Sequence, residues 1–323
     1  MLPKNSSNEI TITRVYDAPI ADVWEAWTDP DQVAQWWGPR GFTLTTHHKD
    51  LRVGGTWKYT MHGPDGADYP NTTVYLEIEP QAKLVYDHGA NDNQPPMFRV
   101  TVLFSESGGQ TTMRMTMALP TPEAAAATRK FVKQAGGNAT WDRLAEYLAR
   151  QLQGAEQFVI ARSFEAPIEV VFEMWTDPAH LSQWLPPTGF SMEFLRADIR
   201  PGGRTFWKMT DNATTTMYGR TEYLDVERPH RIVYTQQFRD EHDTRVLRHP
   251  HAELWPATML TTVLLTSEGP DDTRVAVTWE CHGETTPAEL AAFLEARGGM
   301  TAGWTGSFDK LDEQLASRSA KSH

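Results

Sequence analysis

Short runs of alternating apolar and polar residues dominate the chain. Trp57, Tyr59 and Met61 alternate with Lys58 and Thr60. The same period of two recurs at Val74, Leu76 and Ile78, at Leu84, Tyr86 and His88, at Phe98, Val100, Val102 and Phe104, and at Met113, Met115 and Met117. Successive side chains of a strand point to opposite faces, so each run predicts a half-buried strand. Gly54-Gly55, the stretch from His62 to Gly66, and Gly108-Gly109 supply turns between them. A different spacing flanks these runs. Ile20, Val23, Trp24 and Trp27 recur at helical intervals after Pro19, a residue welcome in a first helical turn. Asp29-Pro30 restarts a second short helix that Gly38-Pro39 breaks. Thr121-Pro122 then caps a long helix loosened at Gly136-Gly137, with Trp141, Leu144, Leu148 and Leu152 as its apolar stripe. The predicted order is a strand at Ile10–Tyr16, two short helices, about six antiparallel strands and one long helix.

The pattern occurs twice. Arg14, Ala18, Pro19 and Ile20 recur as Arg162, Ala166, Pro167 and Ile168, and Trp27-Thr28-Asp29-Pro30 as Trp175-Thr176-Asp177-Pro178. Trp36 matches Trp184, Gly54-Gly55 match Gly202-Gly203, and Val85-Tyr86 match Val233-Tyr234. The offset stays constant across this stretch, then slips at an insertion near 238–256. In the last helix the apolar spacing pairs Trp141 and Leu144 with Phe308 and Leu311. Two tandem domains follow, 1–153 and 154–323. A sheet with one apolar face and an amphipathic helix must bury those faces against each other, so each domain is α+β, a curved antiparallel sheet gripping its C-terminal helix.

Composition changes this picture little. A chain of 323 residues with 40% hydrophobic residues suffices for two cores. Its formal charge of -12 disfavours phosphate backbones, so no nucleic acid is expected as a partner. One cysteine, Cys281, excludes an intrachain disulfide and suits a reducing compartment. The polar start and the lack of a long apolar run predict a cytoplasmic protein without a membrane span.

Ala18-Pro19-Ile20, the segment Trp27 to Pro30, Trp36-Trp37-Gly38-Pro39, the segment Asp50 to Trp57 and the segment Met61 to Gly66 together resemble the activator of Hsp90 ATPase homologue 1-like family. That family lies in the START-like, SRPBCC or Bet v 1-like superfamily. The resemblance implies tandem helix-grip domains, each with a cavity under the long helix that takes a small hydrophobic molecule. The second copy departs from the pattern where Leu185-Pro186 stand in place of Trp37-Gly38.

Residues common to both copies are assigned folding jobs: Trp27 and Trp36 as core anchors, Asp29 as a cap, Gly54 and Gly55 as a turn, and Asp50 with Arg52 as an ion pair beside it. Ligand-binding candidates are the inward strand residues and the helix stripe. In the first domain these are Trp57, Tyr59, Met61, Tyr86, His88, Phe98, Val100, Met113, Met115, Met117 and Trp141. In the second they are Trp207, Met209, Tyr234, Gln236 and Trp279. An excess of Met and aromatic groups suits an adaptable apolar cavity. Because Met113, Met115 and Met117 become Val275, Val277 and Trp279, and His88 becomes Gln236, the two interiors are expected to differ, one being closed by its own side chains.

No metal site is expected. His47 and His48 are neighbours on a strand and should diverge, and His249, His251 and Glu253 match no zinc spacing and read as a solvated loop. Neither a phosphate loop nor a dinucleotide fingerprint calls for a cofactor. If chemistry occurs, His88 with Tyr59 or Tyr86 is the acid–base candidate. Three readings stand: a binder of a small hydrophobic molecule; a cyclase, dehydratase or hydrolase using the same cavity; and an interaction protein for a chaperone partner, using the insertion or the outer sheet.

Overall fold

The computed structural model describes residues 8–89, 95–134, 139–154, 156–211, 213–249 and 252–321. The chain separates into two compact units, Met1–Leu152 and Gln153–His323. In the first, β1 (Glu9–Tyr16) is followed by α1 (Ile20–Thr28) and α2 (Pro30–Trp36). Then come β2 (Thr43–Lys49), β3 (Thr56–His62), β4 (Asp68–Glu79), β5 (Lys83–His88), β6 (Phe98–Ser107) and β7 (Gln110–Ala118). Two helices close the unit, α3 (Pro122–Gln134) and α4 (Ala139–Gln153). The predicted loosening at Gly136-Gly137 lies outside the described residues. The second unit repeats the order as β8 (Phe158–Phe164), α5 (Ile168–Thr176), α6 (Pro178–Trp184), β9 (Ser191–Ala197), β10 (Arg204–Thr210) and β11 (Thr216–Glu227). It continues with β12 (Arg231–Arg239), β13 (Met259–Gly269), β14 (Asp272–Cys281), α7 (Pro287–Glu295) and α8 (Arg297–Lys321).

Each unit holds one seven-stranded antiparallel sheet, ordered β1-β7-β6-β5-β4-β3-β2 and β8-β14-β13-β12-β11-β10-β9. The first strand therefore pairs with the last, and the rest form a meander. These are tandem α+β domains of the helix-grip type. No helix among the described residues is long and apolar enough to cross a membrane.

The repeated residues carry the scaffold. Asp29 accepts hydrogen bonds from the backbone N–H groups of Asp31 and Gln32, and Asp177 from that of Ala179, so both cap their short helices. Trp36 and Trp184 are wholly buried, and each indole N–H donates to a carbonyl of the preceding helix, Ala26 at 3.0 Å and Met174 at 2.9 Å. The turn glycines are required as well. A Cβ on Gly55 or Gly203 would lie 2.3 Å from the carbonyl oxygen of Asp50 or Asp198. Beside these turns Arg52 donates to Asp50 at 2.6 Å, and Arg200 lies 2.9 Å from Asp198.

The last helix follows a register other than the one its apolar spacing suggests. Trp141 stacks on Trp27 with ring centroids 5.7 Å apart, and Trp304 stacks on Trp175 at 6.0 Å. Since Trp27 and Trp175 are counterparts, Trp141 corresponds to Trp304, not to Phe308. Leu144 then corresponds to Ser307, and Thr140 to Gly303. Spacing alone cannot choose between two stripes one turn apart, whereas ring contacts can.

Candidate functional site

In the second domain a partly open cavity of about 330 Å³ lies between the sheet and the last helix. Strand alternation builds its floor. Thr205, Trp207 and Met209 come from one face of β10, Thr221 and Tyr223 from β11, Tyr234 and Gln236 from β12, and Trp279 from β14. Gly299, Met300, Gly303, Trp304 and Ser307 of α8 form the opposite wall, with Trp175, Leu181 and Leu185 at one end. Two local features open this space. The Trp207 indole lies across β11 at Gly219, where a Cβ would sit 2.0 Å from the ring. Gly299 and Gly303 face the cavity with nothing within 4 Å of where their Cβ atoms would be. A glycine inside a helix costs about 1 kcal/mol relative to alanine, so this helix gives up stability where it borders the void.

The lining is neutral. None of the residues around the cavity is Asp, Glu, Lys or Arg. Burial pushes the Tyr223 phenol up and the Tyr234 phenol to about 12, so both keep their protons at physiological pH. The indole nitrogens of Trp175 and Trp279 are out of solvent and have no hydrogen-bond partner among the described residues.

The insertion after β12 contributes a third wall. Phe238, His249, Trp255, Pro256 and Ala257 all line the cavity. Phe238 meets His249 edge-on at 4.9 Å, and His249 lies 5.9 Å from Trp255. Arg248 joins this segment to Glu289 of α7 by a salt bridge and donates to the Trp255 carbonyl at 3.1 Å. Arg239, itself buried, pairs with Asp243 at 2.9 Å and fixes the neighbouring turn. His249 is thus part of a half-buried aromatic wall and not of a solvated loop, because Phe238 and Trp255 draw it inward. His251 lies outside the described residues.

The first domain treats the same positions differently. Trp37, where the second domain has Leu185, packs edge-on against Trp57 at 5.3 Å and Trp141 at 6.0 Å. Trp57, where the second domain has Thr205, stacks on Tyr59 with centroids 4.1 Å apart. Lys49 sits 4.2 Å over the Trp57 ring and donates to the Trp27 carbonyl at 2.9 Å. Desolvation lowers its pKa to about 7. No motif in the sequence signals this lysine; only its register opposite Trp57 brings it under the indole.

Of the predicted site residues, Trp207, Met209, Tyr234, Gln236 and Trp279 all line the second-domain cavity. In the first domain Trp57, Tyr59, Tyr86, Val100, Met113, Met115, Met117 and Trp141 are buried in the core. Met61, His88 and Phe98 are half-buried. His88 stacks on Phe98 at 4.8 Å, and burial lowers its pKa to about 4. Tyr59 and Tyr86 are pushed up by burial. Between pH 5 and 8 the trio therefore holds a neutral imidazole and two neutral phenols. Among the described residues no hydrogen bond links His88 to either phenol. His47 and His48 lie on the edge strand β2. A β-bulge between Thr46 and His48 interrupts the alternation, and both are exposed.

One cluster absent from the sequence reading is Glu173, Asp177 and His180, whose ligand atoms lie within 4.8 Å of one another. Arg318 already occupies it, 3.0 Å from Glu173 and 3.2 Å from His180 Nε2. Asp177 is engaged as the cap of α6. The group is a structural ion cluster.

The profile of the family described as "Activator of Hsp90 ATPase homolog 1-like protein" matches residues 17–149 and again 165–316, most of the chain. The chain belongs to this family. Each AHSA1-like segment covers the helix pair, the meander and the final helix of one domain. Among curated proteins none matches the chain. Solved structures with a similar fold include an AHSA1-like protein from Aeromonas hydrophila, 26% identical, covering 45% of this chain and 94% of that one at a TM-score of 0.37. Another is a protein from Staphylococcus epidermidis, 26% identical, covering 47% and 95% at a TM-score of 0.42. The di-domain ARO/CYC BexL of the BE-7585A biosynthetic pathway, 14% identical, spans both AHSA1-like domains, covering 95% and 98% at a TM-score of 0.38.

Proposed function

We propose that this AHSA1-like chain binds a small hydrophobic molecule in the cavity of its second domain, with the first domain acting as a filled scaffold. The observation that carries this reading is the partly open space of about 330 Å³ with no Asp, Glu, Lys or Arg on its wall. Ligand pockets for drug-sized molecules begin at roughly this size and are mainly apolar, with a few polar groups that fix orientation. The helix glycines bordering the space support the same reading, since a solvent-filled defect gives no reason to keep a stability cost. The family resemblance agrees with it, because helix-grip folds place such cavities under the last helix.

Binding is favoured over catalysis by the state of the titratable groups. General acid–base work asks for a group with a pKa near the working pH. The phenols on the cavity wall are far from neutrality, Tyr223 pushed up by burial and Tyr234 to about 12, and the acid–base candidates His88, Tyr59 and Tyr86 belong to the first domain and do not line this cavity. Native mass spectrometry of the protein taken directly from its cells tests the proposal. A retained uncharged small molecule, displaced by the neutral fluorophore N-phenylnaphthylamine, is the expected result. Protein that carries no small molecule and leaves the fluorophore unbound contradicts it. Co-purification of a chaperone with an empty cavity supports the interaction reading instead.

A further inference from the structure

The two domains fasten the same loop in different ways. In the first, the segment 37–42 is clamped to α4. The Arg143 guanidinium donates to the carbonyls of Gly38 at 2.8 Å, Pro39 at 2.9 Å, Phe42 at 3.2 Å and Gln35 at 3.3 Å. Arg40 of the same loop donates to Glu146 of α4 at 3.1 Å, in a salt bridge whose carboxylate is buried. In the second domain Gly306 stands in place of Arg143 and Thr188 in place of Arg40. Asp309, the counterpart of Glu146, is turned to Arg162 at 2.7 Å instead. Among the described residues, two side chains tie the loop 185–190 to α8 by hydrogen bonds. Ser307 donates to the Leu185 carbonyl at 2.8 Å, and Lys310 donates to that of Pro186.

That loop is part of the cavity wall. Leu185 and Pro187 line the space, and Pro187 is also exposed, so the wall there is one residue thick. Two other lining residues are exposed, Ala257 at the end of the insertion and Gly299 of α8. Both belong to better-anchored parts. The insertion is held by Arg248 on Glu289, by Arg239 on Asp243 and by the packed rings of Phe238, His249 and Trp255. The helix α8 buries Trp304, Phe308, Leu311 and Leu315 in the core. We propose that the loop 185–190 is the door of the second-domain cavity, swinging away from α8 to let a ligand in and out. Its consecutive prolines, Pro186 and Pro187, fix their own φ angles, so it moves as one piece. In the first domain the interior is filled, and the same loop is clamped because it has nothing to admit. The assignment rests on the cavity being a ligand site and adds how that site is reached.

A disulfide across the door tests the proposal. A Cβ on Gly306 would lie 3.9 Å from the Thr188 Cβ, within the separation of about 3.5–4.5 Å that a disulfide spans. Thr188→Cys with Gly306→Cys, in a chain whose own cysteine is removed by Cys281→Ala, is compared oxidised and reduced, the cross-link being verified by intact mass. Neither Thr188 nor Gly306 lines the cavity. In stopped-flow measurements N-phenylnaphthylamine should enter and leave the oxidised chain at least about tenfold more slowly than the reduced one, with its Kd shifted by less than about threefold. Lys310→Met removes the charged latch and decides the matter should the double variant fail to fold or to cross-link. It should speed both rates by about threefold or more. Unchanged rates in the cross-linked chain overturn the door, as do unchanged rates in Lys310→Met where no cross-link forms; an entrance at the insertion would give that result. Absence of fluorophore binding to the unaltered chain overturns the cavity reading itself.

Discussion

Where the first domain sets the indoles of Trp37 and Trp57 edge to face, 5.3 Å apart, the second has Leu185 and Thr205 bordering open space. Around this difference almost everything else is held constant. The caps Asp29 and Asp177, the anchors Trp36 and Trp184, and the stacked pairs Trp27–Trp141 and Trp175–Trp304 are the same device used twice. The comparison teaches that the fold depends on one layer of the interior, between the short helices and the last helix. The layer next to it can be filled with aromatic rings or left open without changing the topology.

The sharpest way to break this contrast is to empty the filled side. Trp37→Ala removes a half-buried ring packed on Trp57 and Trp141 and should destabilise the first domain by about 3–4 kcal/mol, the lower part of the range for large-to-small core changes. Leu185→Ala, at a wall already bordered by space, should cost the second domain only about 2 kcal/mol. Urea unfolding of each variant measures both, and equal losses would show that the two layers are packed alike.

Filling the open side is the converse. Gly303→Leu meets nothing within 4 Å at its Cβ, extends towards the cavity and removes a helix-interior glycine, so the thermal midpoint should hold or rise. N-phenylnaphthylamine affinity should fall at least tenfold. Unchanged affinity would move the binding site elsewhere.

Acidity sharpens the contrast further, because the first domain holds two half-buried bases that the second lacks. Lys49 has a pKa of about 7 in the folded domain against 10.5 in its ordinary state. Between those values the unfolded chain holds a proton that the native chain does not, so stability rises with pH across that window. His88, at about 4 against 6.5, acts in the same direction: stability falls as pH drops from 6.5 towards 4. In urea midpoints measured against pH, Lys49→Met should flatten the upper slope and His88→Gln the lower. The second domain has Ala197 and Gln236 at these places and should show neither slope.

The smallest effect concerns the insertion. Arg248 is half exposed, so its pair with Glu289 contributes on the order of 1 kcal/mol or less. Arg248→Ala should weaken fluorophore binding by no more than about fivefold, mostly through faster release in stopped-flow measurements. An effect as large as that of Gly303→Leu would mean that the segment holds the ligand directly instead of covering it.

Strand order, helix caps and turn glycines were legible in the sequence because they rest on local rules: alternation, N-cap chemistry and positive backbone angles. The second-domain candidates Trp207, Met209, Tyr234, Gln236 and Trp279 came from alternation too, since an inward face can be read along a strand. What could not be read is whether an inward residue meets a neighbour or a void. That depends on pairs distant in sequence, such as Trp37 with Trp57 and Leu185 with Thr205. Three local irregularities also escaped. A bulge at His47 interrupted the alternation of β2, the last helix used Trp304 where spacing favoured Phe308, and the insertion folded its aromatic residues inward despite its charged sequence. Lys49 was invisible for a related reason, since a lysine on a strand reads as solvated until the ring above it is known.

The most direct test is calorimetric titration of the intact chain with N-phenylnaphthylamine, read for stoichiometry. One molecule bound per chain, with none bound by Gly303→Leu, is the predicted outcome. Two equivalent molecules per chain, or one that persists undiminished in Gly303→Leu, would contradict the division of labour between the two domains.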